Sequence, residues 1–140
     1  MAAEKSAPRY INKLSNKIKR EIDRIPAVRE VSPAETRVLY YLLDREGPVF
    51  QRDIEEEYSL RPPSASALLK KMENDGLITR EAVKEDGRYK RIVVTEKGLS
   101  HKDEVRGKLR RLEQVVTAGI SEEDMEVFYR VVTQMLENLP

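Results

Sequence analysis

A hairpin signal that follows directly on an amphipathic helix constrains this chain more than any other feature. Asp86 and Gly87 separate two segments rich in Val, Ile and Thr, which predicts a β-hairpin with a two-residue turn. Ile92 and Val94 alternate inward on the return strand. The chain is therefore expected to pack a small two-stranded sheet against helices.

The helix before the hairpin, predicted from about Pro62 to Asp75, has two different sides. At about 100° per residue, one side collects the apolar residues Ala65, Leu68, Leu69 and Met72. The rest of its surface carries small residues near the start and lysine further along, namely Pro63, Ser64, Ser66, Ala67, Lys70, Lys71 and Asn74. Small residues let a helix approach DNA closely, hydroxyls donate to bases or phosphates, and an alanine methyl can touch a thymine methyl. An ordinary solvent-exposed helix would carry a similar face.

Basic residues cluster on the hairpin, at Lys84, Arg88, Lys90 and Arg91. An arginine on a narrow β tip suits the minor groove, where negative potential is concentrated. Asp86 can hold Arg88 or a neighbouring arginine in place, so we assign it a positioning role. A helix with an exposed face followed by a basic hairpin is the layout of a winged helix-turn-helix DNA reader. For any single residue, a solvated charged hairpin is the alternative.

Three helices are predicted before this reader. Residues 9 to 25 place Ile11, Leu14, Ile18, Ile22 and Ile25 at steps of three and four, and Pro26 ends that helix. Ser32, Pro33 and Glu35 then form a helix start with a capping box, and this second helix stops at Gly47 and Pro48. A short third helix follows from about Gln51 to Tyr58. Its run of three glutamates is interpreted as a solvated face rather than a cation site.

The C-terminal part is predicted to form two long helices. One runs from Thr95, as N-cap, to about Ala118, and the other begins at Ser121. Apolar residues recur along them at Val105, Leu109, Leu112, Val116, Met125, Phe128, Val131, Val132, Met135 and Leu139. With the first helix they carry more apolar surface than a small reader can cover. We expect them to pair with a second copy of the chain, and a compact monomer is the alternative.

Composition narrows the function classes. The 140 residues include no cysteine, which excludes a disulfide framework and a redox-sensing thiol. No apolar run approaches twenty residues and no secretory signal is visible, so we expect a cytoplasmic protein without a membrane span. The formal net charge is only +1. Lysine and arginine nevertheless exceed aspartate and glutamate in residues 1–30, 59–98 and 99–118, which is the local footprint that DNA contact needs.

Five residues around the return strand form a specific pattern. Asp86, Arg88, Val94, Thr95 and Gly98 match Asp-x-Arg followed by Leu/Val-Thr-x-x-Gly, the wing signature of the MarR family of transcriptional regulators. The chain resembles that family over roughly residues 31 to 100. The resemblance implies a dimeric winged-helix repressor or activator that reads a pseudo-palindromic site. In this family a small aromatic or phenolic effector often relieves the regulation.

The resemblance also assigns individual residues. The recognition-helix contacts of the family fall on Pro63, Ser64, Ser66, Ala67 and Lys70, and its minor-groove arginine falls on Arg88. Arg61, Lys90 and Arg91 complete the predicted DNA-binding set. Ala67 stands where many members carry an arginine or another long polar residue, so one base contact common in the family is missing or apolar here. The absence of cysteine separates the chain from the peroxide-sensing branch.

A ligand site is implied in the cleft that MarR-like proteins form between the reader and the dimer helices. Arg37, Tyr40 and Tyr41 on the second helix are candidates to line it, because an arginine with tyrosines suits an aromatic carboxylate. Tyrosines that pack between helices beside a surface arginine are the alternative. We expect no cofactor and no metal site.

We therefore predict a mainly α fold with a small β wing, a winged helix-turn-helix flanked by dimerisation helices. The predicted regions are 1–30 (N-terminal dimerisation helix), 31–98 (DNA-binding region) and 99–140 (C-terminal dimerisation helices), within one compact domain. Predicted partners are double-stranded DNA, a second copy and an aromatic or phenolic ligand, with no membrane. An enzyme is not expected, because the only histidine, His101, is expected at the surface and no Gly-rich phosphate loop is present. A winged helix used purely for protein contacts is the alternative function.

Overall fold

The computed structural model describes residues 4–83 and 86–140, with the side chains of residues 86–88 outside that description. Within this part of the chain lie seven helices and two antiparallel strands: α1 Ala7–Arg24, α2 Pro33–Asp44, α3 Gln51–Glu57, α4 Pro62–Asn74, β1 Ile78–Val83, β2 Asp86–Val94, α5 Glu96–Ser100, α6 Lys102–Thr117 and α7 Glu122–Asn138. This confirms the predicted mainly α fold with a small β wing. None of the described helices is long and apolar enough to cross a membrane.

The hydrophobic core of the winged helix-turn-helix region is built from the helix and strand faces that the apolar periodicity predicted. On α4, Ala65, Leu69 and Met72 are fully buried. Leu69 and Met72 belong to a cluster with residues of α2, α3, α6 and the wing, including Val38, Leu39, Leu42, Ile54, Leu77, Ile78, Ile92 and Val105. Because the apolar side of α4 is taken up by this core, its polar side faces solvent.

The predicted helix caps are present. Ser32 Oγ accepts from the Glu35 backbone N–H, and Glu35 Oε1 accepts from the Ser32 backbone N–H, which is the reciprocal capping box. Thr95 and Ser121 each accept a backbone N–H three residues on and so cap α5 and α7. Gly76 has a φ of +76°, the left-handed conformation that ends α4.

The hairpin differs from the prediction at its turn. Asp86 and Gly87 were expected as the two turn residues, but β2 already begins at Asp86. The ladder is regular from Ile78 opposite Val94 to Ala82 opposite Lys90, and then shifts so that Val83 opposes Asp86. A register shift of this kind places extra residues on one strand, so Asp86 and Gly87 belong to the irregular end of β2. Lys84 and Glu85, which connect the strands, lie outside the described residues.

The helix predicted from Thr95 to about Ala118 is interrupted. The chain forms α5, turns at His101 with φ −91° and ψ 2°, and resumes as α6. A Cβ on Gly98 would meet the Leu77 carbonyl oxygen and, at 2.6 Å, Val94 Cγ1, so α5 lies tightly against the base of the wing. Val105 on α6 is fully buried in the core. We attribute the break to these two constraints, which also bury His101, contrary to the surface position expected.

The chain divides into two compact units. The reader unit is Asp23–Leu109, and the terminal unit combines Met1–Ile22 with Arg110–Pro140. Residues 23–30 and 99–109 belong to the reader because Ile25, Val28 and Val105 are buried. The predicted division into dimerisation helices and a DNA-binding region stays a prediction.

The terminal unit leaves many of its apolar residues open to solvent. Neither α1 nor α7 contains a buried residue. Exposed apolar or aromatic side chains on α1, α6 and α7 include Tyr10, Ile11, Leu14, Val115, Val127, Phe128, Tyr129, Val131 and Leu136. Leu14, Val116, Ile120, Met125 and Phe128, with Thr117 and Asp124, line an apolar cavity of about 210 Å³.

Candidate nucleic-acid interface

The outward face of α4 collects most of the residues predicted to bind DNA. Arg61, the N-cap of the helix, is exposed, and so are Pro63, Ser64, Ser66, Ala67 and Lys70. Pro62 and Pro63 occupy the first turn, where a missing N–H costs no helical hydrogen bond. The side chains on this face are small near the start of α4 and cationic further along. A DNA backbone or base edge can therefore come close to the first two turns of the helix.

The wing supplies the second part of the predicted set. Lys90 and Arg91 on β2 are exposed. Arg91 Nη2 lies 3.6 Å from Glu81 Oε2 on the opposing strand, so part of its charge is shared within the hairpin. The side chains of Asp86 and Arg88 lie outside the described residues, and their assigned roles stay predictions.

A buried glutamate anchors the recognition helix to α2. Glu35 is almost fully buried, and its Oε1 accepts from Lys71 Nζ of α4 at 3.1 Å. Lys71 also donates to Asp75 Oδ2 at 2.8 Å. Hydrogen bonds to Asp75 and Glu35 raise the pKa of Lys71, and the bond from Lys71 lowers the pKa of Asp75. Lys71 is therefore committed to carboxylates, which leaves Lys70 as the outward lysine of this face.

A second set of bonds joins α4 to α3 and to the wing. Arg80 on β1 donates from Nε to Glu73 Oε1 at 2.7 Å and from Nη1 to Gln51 Oε1 at 3.3 Å. Gln51 Nε2 donates to Glu55 Oε2 at 3.1 Å and to the Pro62 carbonyl at 3.3 Å. The two ends of the recognition helix are thus tied to the same half-buried arginine, directly or through Gln51.

These bonds form the floor of a concave surface that we call the α3–wing notch. It has a volume of about 440 Å³ and is lined by Phe50, Gln51, Arg52, Glu55, Arg80, Tyr89 and Lys90. Sequence reasoning assigned no function to Gln51, Arg52 or Arg80. Their shared position follows from contacts between α3 and the strands, so periodicity within one element could not reveal it.

The residues predicted to bind an effector are divided between two environments. Arg37 lines a cavity of about 150 Å³ with Ala34, Val38, Tyr58, Leu60 and Leu68. Tyr58 donates its hydroxyl to the Arg37 carbonyl at 2.6 Å, and burial, followed by the charge of Glu57, raises the pKa of Tyr58 to about 12. Tyr40 and Tyr41 pack against the core cluster instead, with the Tyr41 ring 5.0 Å from the Arg45 guanidinium.

Comparison with known proteins agrees with this arrangement. YwoH, an uncharacterized HTH-type transcriptional regulator of Bacillus subtilis (strain 168), is 27% identical over 97 residues, which are 69% of this chain and 70% of YwoH. The structure of S. aureus MepR in its DNA-binding conformation has a TM-score of 0.87 at 24% identity, covering 97% of this chain and 100% of that one. The family profile described as MarR family matches residues 30–88. The chain is similar to the MarR family over these residues.

Two other solved structures resemble this chain over almost its whole length. The S. aureus MepR–DNA complex has a TM-score of 0.79 at 25% identity and covers 97% of this chain and 100% of that one. PcaV from Streptomyces coelicolor, in complex with its natural ligand, has a TM-score of 0.76 at 19% identity and covers 98% of each chain. The proteins that the chain is similar to are transcriptional regulators, which confirms the prediction that the chain is not an enzyme.

Proposed function

We propose that this chain is a dimeric, sequence-specific regulator of the MarR family that binds double-stranded DNA. The observation that carries the proposal is the exposed face of α4, with Ser64, Ser66, Ala67 and Lys70, on a helix fastened to α2, α3 and the wing. A face held by its neighbours loses little freedom on binding. The MepR relative has been crystallised with DNA, which supports the same partner for this chain.

In the proposed complex α4 enters the major groove. Pro63, Ser64 and Ser66 bring its first turns close to the base edges, and Ala67 offers a methyl contact to thymine. Lys70 and Arg61 bind phosphates, and Lys90 and Arg91 add positive charge from the wing. Arg88 reaches the adjacent minor groove, and Asp86 holds that arginine in position.

Dimerisation is proposed for the terminal unit. Phe128 and Val131 on α7 and Ile11 on α1 are more than 40% exposed, and isolated domains rarely leave so many large apolar side chains open. The partly open apolar cavity of about 210 Å³ also indicates a core that is incomplete in one chain. Pairing with a second copy places two recognition helices about one DNA turn apart, which requires a pseudo-palindromic operator.

We further propose that a small aromatic acid binds to the protein and releases it from DNA. The cavity beside Arg37 has a volume of about 150 Å³, similar to cavities of about that size that hold one benzene ring. The Arg37 guanidinium can pair with a carboxylate at its edge. The PcaV structure contains a natural ligand, which supports effector binding on this fold.

Selection of bound sequences from a random DNA pool tests the function. Purified protein should enrich an inverted repeat, and affinity for it should fall steeply as salt rises, because lysine and arginine displace condensed counterions. Absence of any enriched sequence would instead support a winged helix used for protein contacts, an alternative consistent with the net charge of only +1.

A further inference from the structure

The α3–wing notch contains two cations that none of the described residues neutralises. Arg52 and Lys90 are exposed, and neither pairs with any of the residues that the structure describes. Arg80 is different, because Glu73 binds it at 2.7 Å and Gln51 covers one of its nitrogens. The Glu55 carboxylate on the lining accepts from the uncharged Gln51 amide and keeps its negative charge. Arg52 on α3 and Lys90 on β2 outweigh this single carboxylate and give the notch its excess positive charge.

The notch opens beside the start of the recognition helix. The Gln51 side chain that forms its floor donates to the carbonyl of Pro62, in the first turn of α4. In helix-turn-helix proteins the helix that precedes the recognition helix crosses the DNA backbone, and α3 holds that place here. A strand of DNA lying along α4 would pass the mouth of this concavity.

We propose that the α3–wing notch seats a phosphodiester of the DNA backbone, with Arg52 and Lys90 as its charge partners. Tyr89, half exposed on the rim, adds a hydroxyl donor. The Gln51–Arg80–Glu73 bonds position the walls, so the contact sets the register of α4 on the duplex. This inference rests on the proposed DNA-binding function and assigns Arg52, together with Lys90, to a site away from the wing tip.

Salt dependence of binding to the selected operator is the first test. Each lost phosphate contact makes the slope of log K against log salt less negative by about 0.9. A dimer on an inverted repeat makes this contact twice, so the slope should become less negative by about 1.8 in Arg52→Gln and in Lys90→Gln. The affinity deficit of each variant relative to wild type should therefore shrink about 12-fold between 50 and 200 mM salt. Preference among operator sequences should stay unchanged, because phosphate contacts carry no base information. Arg45→Gln, which removes an exposed arginine beside Tyr41, should keep the wild-type slope.

Neutral methylphosphonate linkages, placed one at a time in the operator, locate the contact. One position in each half-site should weaken wild-type binding and should have a smaller effect on Arg52→Gln, which keeps only Lys90 as a charge partner. Two results would overturn the proposed phosphate contact while leaving the DNA-binding function intact: a wild-type salt slope in both notch variants, or the absence of such a methylphosphonate position. A wild-type protein that binds no DNA would overturn both. Circular dichroism melting of each variant, expected at the wild-type temperature, shows that the fold is retained.

Discussion

Gly98→Ala should destabilise the chain through one methyl group. The Cβ built on Gly98 meets the Leu77 carbonyl oxygen and lies 2.6 Å from Val94 Cγ1 and 3.3 Å from the Leu77 carbonyl carbon. Two of these neighbours are backbone atoms between α4 and β1, which cannot rotate away. The clash must therefore shift α5 from the base of the wing.

The cost follows from overpacking in a tight contact. Inserting a methyl group into a packed site lowers the free energy of unfolding by about 1–3 kcal/mol. Alanine also reduces the conformational entropy of the unfolded chain, which offsets about 0.4–1 kcal/mol of that loss. We expect a net loss of roughly 1–2 kcal/mol and a fall in Tm of roughly 3–10 °C for a chain of this size. Thermal and urea unfolding followed by circular dichroism, at equal protein concentrations, measures both.

Gly107→Ala is the matched control on α6. A Cβ there meets nothing within 4 Å, and alanine in a helix is more stable than glycine by about 0.5–1 kcal/mol. The two variants make the same chemical change in different surroundings. Because the added methyl group clashes at residue 98 and meets open space at residue 107, the two variants should move Tm in opposite directions. Equal stability of Gly98→Ala and wild type would refute the steric account of α5.

Four further outcomes follow from the same contacts. Arg88→Ala should weaken operator binding by about 1–3 kcal/mol in a fluorescence titration and leave the dimer intact. Phe128→Asp should reduce the mass measured by light scattering from that of two chains to that of one, because it places a charge on the exposed apolar face of α7. Arg37→Gln should abolish any thermal stabilisation that a panel of aromatic acids gives the wild type. The pKa of Tyr58 is about 12 in the fold and about 10 in an unfolded chain. Its burial therefore favours the neutral phenol, stability falls as pH rises from about 10 through about 12, and Tyr58→Phe should remove that part of the pH dependence.

Features that depend on neighbours within one element could be predicted from the sequence. The capping box of Ser32 and Glu35 needs residues three apart, and the inward positions of Leu69 and Met72 need only the helical period. The outward face of α4 follows from the same period. These local rules also placed the wing in the chain, because strand pattern and turn residues are adjacent.

Features that depend on contacts between distant elements could not be predicted. Lys71 and Glu35 are separated by 36 residues, and Arg80 and Gln51 by 29, so neither pair is visible as a motif. The break at His101 has the same origin, since it follows from how closely Gly98 approaches Leu77. The turn was misplaced because Asp-Gly is a strong local signal, whereas the ladder sets the register.

The reading face of α4 has an evolutionary consequence. Ser64, Ser66 and Ala67 are exposed and do not contribute to the buried core. Substitutions at such positions usually change stability by no more than about 0.5 kcal/mol, whereas one good base contact changes discrimination by about 1–3 kcal/mol. Operator preference can therefore drift almost independently of foldability. A lineage with this scaffold can acquire new target genes through single substitutions that the rest of the molecule tolerates.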